Sequence, residues 1–331
     1  MDNIRDYRKA ILLVDDEPTN LQVLRHTLQD KYRLLFAKNG QTALDLVKTE
    51  SPDLILLDVM MPEISGYDVC QRVKADASTE NIPIIFVTAL SESEDEEYGL
   101  NLGAVDYITK PFSPPIVRAR VRTHLSLVQA KELKETRLHI IRSLGKAAEY
   151  RDNETGMHIV RMSHYAYCLA KKVGYSDEAA DELLNAAPMH DVGKIGIPDK
   201  ILLKPGKLDP DEWHTMKQHA AIGAEIIGGH SSKLLQLAAE IARHHHEKWD
   251  GSGYPDGLSG KEIPHQARIV TLVDVFDALT SERPYKREWS VAEAIDFIKQ
   301  QKGSHFDPEL VDAFIECLPE ILEMKERWAD K

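Results

Sequence analysis

Short apolar runs punctuate the first third of the chain, at residues 11–14, 34–37, 54–57, 84–87 and 107–108. They read as strands buried in a parallel sheet. Between them, residues 40–48 and 67–74 carry apolar side chains at helical spacing, as crossover helices should. Five strands alternating with helices predict a multidomain chain that opens with a doubly wound, flavodoxin-like α/β fold around a five-stranded parallel sheet. From Pro114 the pattern changes. Ile116, Val117, Val121, Leu125 and Val128, then Leu133, Leu138, Ile141 and Leu144, follow helical spacing, with no proline after Pro115 and Gly145 as the sole glycine up to Tyr150. One long helix is predicted to leave the first domain and enter the second. Its spacing drifts from a strict heptad, which leaves open a coiled-coil homodimer and a plain rigid connector alike. Beyond Tyr150, amphipathic helices are predicted at 158–173, 177–189, 211–227, 234–246 and 267–279, an all-α bundle. The expected divisions are 1–125, a connecting helix 126–148, and 149–331.

Composition narrows the class. Of 331 residues, 43% are hydrophobic and 29% charged, the balance of a soluble globular protein. No apolar run approaches the roughly 18 residues a membrane helix needs, and MDNIRDYRKA lacks an apolar signal core, so no membrane insertion is expected. Cys70, Cys168 and Cys317 form no metal-type or disulfide-type spacing, which points to a reducing cytoplasm. A net charge of −13 argues against nucleic-acid binding. It does not exclude a small anionic ligand, because a bound metal reverses the local field. Of 14 histidines, 11 lie after residue 150, so the two halves carry different chemistry.

In the first half the chemistry falls at strand ends. The first strand runs into Asp15-Asp16, the third into Asp58, the fourth into Thr88, and the fifth into Lys110-Pro111. Ligand sites of such folds gather at the carboxyl edge of the sheet. Clustered carboxylates there attract Mg²⁺, and one of them can attack a phosphoryl donor to form an aspartyl phosphate. Lys110 and Thr88 would hold the phosphoryl oxygens. Any one of these residues alone fits an ordinary loop; all of them in chain order on one sheet edge do not. The segments LLVDDEP, LILLDVMMPEISGYDV, VTAL and GAVDYITKPF resemble the receiver domains of two-component systems, over about the first 125 residues. The resemblance implies phosphorylation of Asp58 by a sensor histidine kinase, Mg²⁺ on Asp15 or Asp16 with Asp58, and switching through Thr88 and Tyr107. The acidic stretch 92–97 reads as the solvated start of a helix.

The second half collects metal-ligating types: Glu154 and His158 four apart, His190-Asp191 followed by Gly193 and Lys194, then His219, His244-His245-His246-Glu247, and Asp274. A lone helical histidine is usually packed or exposed, and His26, His139, His164, His214, His230, His265 and His305 are read so. Imidazoles and carboxylates gathered on facing helices are how bundles build polynuclear metal sites. Mixed nitrogen and oxygen donors suit Fe, Mn, Ni or Zn better than Mg alone. Such a site hydrolyses phosphate esters by making hydroxide near neutral pH and clamping the attacking and leaving oxygens. The segment HHEKWDGSGYPDGLSGKEIP is a turn-rich loop with glycines at 251, 253, 257 and 260.

From about residue 140 to 320 the chain resembles the HD-GYP branch of the HD phosphohydrolases, with His190-Asp191 as the HD pair and Gly253-Tyr254-Pro255 as the GYP. The resemblance implies metal ligands at Glu154, His158, His190, Asp191, His219, His245, His246 and Asp274, with His244 only a neighbour. It implies a catalytic set of His190, Asp191 and Lys194, and substrate contacts from Arg283, Lys286, Gly253 and Tyr254. The implied substrate is cyclic di-GMP, linearised to pGpG and cut again to GMP. Two or three transition-metal ions are expected, Fe or Mn favoured, and Glu154 implies the third. Phosphorylation of Asp58 is expected to move the connecting helix and alter access to the metals. Competing readings are an HD phosphohydrolase acting on a nucleoside triphosphate or alarmone, hydrolysis of a mixed cyclic dinucleotide, and a degenerate domain that senses cyclic di-GMP or docks diguanylate cyclase proteins through the GYP loop. The complete ligand set weighs against the last.

Overall fold

The computed structural model describes residues 8–89, 93–151, 157–281 and 287–329, with the side chains of 93–95 left out. It divides into two compact units, Met1–Glu135 and Thr136–Lys331.

In the first unit, β1 (Ala10–Val14), β2 (Arg33–Ala37), β3 (Leu54–Leu57), β4 (Ile84–Thr88) and β5 (Asp106–Thr109) form one parallel sheet in the order β2-β1-β3-β4-β5. The helices α1 (Pro18–Leu28), α2 (Gly40–Glu50), α3 (Gly66–Ala75) and α4 (Ser93–Asn101) make the crossovers. Strand side chains alternate between two cores, as the period of two requires. Leu12, Val14, Ile55, Leu57 and Phe86 pack with Ala43, Val47, Val69 and Val73 on one face. Ile11, Leu13, Leu54, Leu56, Ile85 and Val87 pack on the other with Leu21, Leu24, Leu28, Val117 and Val121. Local signals agree with the sheet: Asn39 caps α2 by accepting from the Thr42 N–H at 2.8 Å, and Ser65 with Asp68 forms a capping box on α3. Because the order reverses between β1 and β3, the residues after those two strands, Asp15 and Asp58, face one crevice.

The predicted long helix is α5 (Pro114–Tyr150), and the division between units falls inside it. The second unit contains α6 (Met157–Lys172), α7 (Asp177–Ala186), α8 (Asp199–Leu202), α9 (Pro210–Lys217), α10 (His219–Ile227), α11 (Lys233–His244), α12 (His265–Thr280), α13 (Val291–Gln300), α14 (Pro308–Glu316) and α15 (Leu318–Arg327). α12 is central: Ala267, Ile269, Val270, Leu272, Val273 and Phe276 are all fully buried, so it is enclosed on most of its circumference. Among the described residues no helix is long and apolar enough to cross a membrane.

Three predicted helices need correction. The helix expected at 211–227 is broken at Gln218, where the N–H turns back to the Thr215 carbonyl three residues earlier, and His219 opens a new helix. The helix expected at 177–189 ends at Ala186 and tightens into a 3₁₀ turn at Ala187–Met189. The helix expected at 234–246 ends at His244, with His245 as its cap. Each break falls beside a histidine of the site, and apolar periodicity does not register such local tightening.

Candidate functional site

At the carboxyl edge of the sheet, Asp15, Asp16 and Asp58 each offer an oxygen within 4.8 Å of the others. Asp15 and Asp58 are buried and Asp16 is exposed. Lys110 bridges the two buried carboxylates, 2.8 Å from Asp15 Oδ2 and 2.7 Å from Asp58 Oδ2. Burial pushes the Asp58 carboxyl up, against the opposing hydrogen bond from Lys110. Burial also opposes the Lys110 charge, but its hydrogen bonds to Asp15 and Asp58 outweigh this and raise it. The three carboxylates carry more negative charge than one lysine balances, an arrangement that suits a cation. Thr88 closes β4 and is fully buried; Tyr107 is buried with its hydroxyl 2.9 Å from that of Tyr67. Gly66 packs so closely behind Asp58 that a Cβ would stand 2.1 Å from the Asp58 carbonyl oxygen.

In the second unit a cleft is built from two 3₁₀ turns, the ends of three helices and the middle of α12. His190 and Asp191 follow the turn Ala187–Met189, and Lys194 lies in the next 3₁₀ turn, Val192–Gly196. His219 starts α10, His245 and His246 follow α11, Asp274 lies on α12, and His158 lies in the first turn of α6. Asp191, His219, His245 and His246 place ligand atoms within 4.8 Å of one another, and Glu149, His158 and His190 form a second such set. Two carboxylates lie between the sets. Asp191 stands 3.2 Å from the Nε2 atoms of both His190 and His219, and 3.5 Å from that of His245. Asp274 stands 3.2 Å from His158 Nε2 and 3.9 Å from His190 Nε2.

The orientation of the imidazoles decides what the cleft binds. Nδ1 of His190 lies 3.1 Å from the Ala187 carbonyl, that of His219 2.7 Å from Met216, and that of His245 3.0 Å from Ala242. Nδ1 of His158 lies 2.8 Å from Asp277, whose carboxylate is also held by Arg161 at 2.8 and 2.9 Å. Each Nδ1–H is thereby engaged, and each Nε2 lone pair points inward. The Nε2 atoms of His190, His219 and His245 and Oδ1 of Asp191 are buried and make no hydrogen bond to any described residue. Native interiors rarely leave such atoms without a partner, and this donor set fits divalent transition metals. Electrostatics agree. Burial disfavours the charged form of His190, yet the adjoining carboxylates of Asp191 and Asp274 raise it to about 9. Burial likewise opposes the Asp191 charge, but Lys194 and His190 hold it well below the usual carboxylate range. The cleft is poised for positive charge.

The glycine-rich loop is clamped over this cleft by Glu247. Its buried carboxylate accepts the N–H groups of Asp256 at 2.7 Å and of Gly257 and Leu258 at 3.1 Å. Gly253 lets the chain return: a Cβ there would stand 2.4 Å from the Lys248 nitrogen and 2.6 Å from the His246 carbonyl oxygen. Tyr254 follows, its ring 4.8 Å from that of His246 and beneath the Lys217 ammonium. His244, Glu247 and Asp256 also cluster, but Glu247 is engaged by the loop and Asp256 by two hydrogen bonds from Arg243, so the cluster ties down the loop. Lys194 lies 2.9 Å from Asp191, and its turn is gripped from behind by Arg151, which donates to the Lys194 and Ile197 carbonyls.

The structure thus gathers His158, His190, Asp191, Lys194, His219, His245, His246, Asp274 and Tyr254 in one cleft, and Asp15, Asp16, Asp58, Lys110 and Thr88 at the sheet edge. Glu154, Arg283 and Lys286 lie outside the described residues. Sequence reasoning missed Glu149, Arg161 and Asp277, and grouped Glu247 with the metal-ligating types where it holds the loop. For Asp277 a signal existed, a carboxylate within an otherwise apolar stretch of α12.

Comparison with known proteins bears on both sites. Residues 11–122 match the response regulator receiver domain, and residues 130–310 match the HD domain, a metal-dependent hydrolase family. A Vibrio cholerae protein named probable cyclic di-GMP phosphodiesterase is 43% identical, over 97% of this chain and 80% of its own. The cyclic di-GMP phosphodiesterase response regulator RpfG of Xanthomonas campestris is 38% identical, over 92% of this chain and 86% of its own. A second Vibrio cholerae protein, named 3'3'-cGAMP-specific phosphodiesterase 2, is 45% identical over 59% of this chain and 37% of its own.

Proposed function

This chain belongs to the response regulators that join a receiver domain to an HD domain, and from that premise we propose that it hydrolyses cyclic di-GMP in the histidine-rich cleft under control of Asp58. The observation that carries the reading is the set of inward-facing Nε2 atoms, each fixed by an engaged Nδ1, around Asp191 and Asp274. Asp191, His219, His245 and His246 would hold one ion, and His158 and His190 with Asp274 a second. Glu154 is the expected ligand of a third, and iron or manganese fits the donors best. When bound, such ions supply Lewis acidity, an acidified water, and charge to balance a phosphodiester. Lys194 would take a non-bridging phosphate oxygen and steady charge that builds on phosphorus. Tyr254 would present its ring to a guanine or ribose face, and Arg283 and Lys286 would grip the second phosphate. The products would be pGpG and, after a second cleavage, GMP.

In the receiver, Asp58 would accept a phosphoryl group from a sensor histidine kinase, with Mg²⁺ held by Asp15, Asp16 and Asp58. Lys110 and Thr88 would bind the new oxygens, and Tyr107 would change position. Because α5 begins in the receiver unit and ends beside His158, a shift of this helix is the route by which the signal would reach the cleft.

Product chromatography tests the enzyme reading. Protein prepared without oxygen and loaded with iron or manganese should release pGpG or GMP from cyclic di-GMP, and a His190→Ala/Asp191→Ala double variant should not. Absence of turnover, with metals bound and the receiver both free and phosphorylated, would overturn hydrolysis in favour of sensing or docking. The relative that carries a 3'3'-cGAMP name supports a second substrate reading. Competition between the two dinucleotides at equal concentration would rank them by kcat/KM.

A further inference from the structure

Glu149 sits in the last turn of α5, 1% exposed, on a helix whose neighbouring positions 146, 147 and 150 are exposed. No motif singles it out. Its Oε1 lies 3.7 Å from Nε2 of His158, and its carboxylate and the imidazoles of His158 and His190 offer donors all within 4.8 Å. Donors around one ion at 2.0–2.2 Å stand at most about 4.4 Å apart, so this spacing is that of a set ready to close on an ion. Both imidazoles are oriented for the purpose. Asp277 fixes Nδ1 of His158, the Ala187 carbonyl fixes Nδ1 of His190, and the Nε2 atoms face Glu149.

We infer that Glu149 is a metal ligand, completing with His158 and His190 a nitrogen-and-oxygen site for a divalent transition ion next to the Asp191–His219–His245–His246 set. The inference rests on the proposal that the cleft holds metals, and it adds a ligand that the Glu154 and His158 spacing does not supply. It also gives the connecting helix a chemical end: its final turn is part of the coordination sphere.

Mn²⁺ titration by calorimetry, with elemental analysis after desalting, tests it on the full chain. Glu149→Gln keeps the shape and removes the charged donor. Outer ligands alone change metal affinity about 10–100-fold, so losing a direct ligand should weaken one class of Mn²⁺ site by about 100-fold or more. One ion per chain should be lost, the same ion as in His158→Ala, while a His219→Ala control loses a different one. Should Glu149→Gln fail to fold, Glu149→Asp retains the charge on a shorter arm and should weaken the same class alone. Unchanged Mn²⁺ stoichiometry and affinity in a folded Glu149 variant would overturn the inference, as would a His158→Ala variant that loses no ion. The two readings fail separately: a wild-type chain that binds Mn²⁺ through Glu149 yet never cleaves cyclic di-GMP sinks the proposed activity and leaves the ligand.

Discussion

Nδ1 of His158 and Oδ2 of Asp277 lie 2.8 Å apart, both out of solvent, although the residues are 119 positions apart in the chain. Arg161, one turn along from His158 on α6, grips the same carboxylate through Nε and a terminal nitrogen. Burial opposes the Asp277 charge, but the hydrogen bond and charge of His158, reinforced by Arg161, pull it down to about 2. The carboxylate therefore stays ionised, holds the His158 proton on Nδ1, and turns Nε2 toward Asp274 and Glu149.

Removing only the charge of Asp277 should damage both stability and metal binding. Asp277→Asn leaves Arg161, which is 1% exposed, facing a neutral amide. Breaking a buried pair in this way costs about 3–5 kcal/mol. With its tautomer no longer fixed, His158 should bind Mn²⁺ about 10–100-fold more weakly. Urea denaturation and Mn²⁺ titration measure the two effects, and an unchanged value of both would mean that the triad does not orient the imidazole.

Gly193 is required by contact. A Cβ there would stand 1.9 Å from the His219 carbonyl oxygen and 2.5 Å from the Gly223 nitrogen, both backbone atoms. Gly193→Ala should destabilise the second unit by about 3 kcal/mol or more and separate His190 and Asp191 from His219. Gly196→Ala meets only the Ile222 side chain, at 2.9 Å, and should be milder. Thermal melts of the two variants side by side check the ranking.

How much of this was legible in the sequence follows from the range of each interaction. The strands were readable because each is a short, fully buried run, and Asp15, Asp58, Thr88 and Lys110 followed from their position at strand ends. The breaks before His219 and after His244 were not readable, because they depend on one or two tightened hydrogen bonds inside continuous apolar periodicity. The pairing of Asp277 with Arg161 was not readable for a different reason. Its significance lies in a contact between α6 and α12 that no local spacing encodes, and α12 reads simply as a buried helix. Glu149 was overlooked because Glu154 satisfied the helical spacing to His158 by itself.

Glu247 should act on the substrate without acting on the metals. It accepts three backbone N–H groups from the turn after Tyr254, and its carboxylate is not one of the donors gathered with Asp191, His219, His245 and His246. Glu247→Gln keeps one acceptor oxygen and loses the charge, and charged hydrogen bonds of this kind contribute about 1.5–3 kcal/mol. The loop carrying Gly253 and Tyr254 should loosen. The expected result is a fall in kcat/KM of at least about tenfold on cyclic di-GMP with unchanged metal content. Loss of metal in this variant would show that the loop is part of the coordination structure instead.

The loop also sets a pH dependence through His305. Its ring stacks on Phe306 with centroids 4.3 Å apart, and its carbonyl accepts the Trp249 N–H at 3.1 Å, just beyond Glu247. Burial first, then the Lys248 charge, lowers its pKa to about 4, with Asp250 and Asp274 partly opposing. An unfolded chain protonates this imidazole near 6.5, well before the folded protein does. Between pH 6.5 and about 4 the unfolded state therefore holds the extra proton, and stability falls as pH falls. The slope from one such group is at most about 1.4 kcal/mol per pH unit, and it vanishes above about pH 7. His305→Asn removes the titration and the ring stack together, but the lost stack is a constant offset at every pH. Urea denaturation of both proteins from pH 7.5 to 5 should give a stability difference that narrows steadily below pH 6.5. A difference that stays flat across that range would mean that His305 titrates alike in both states, and that the loop leaves it open to water.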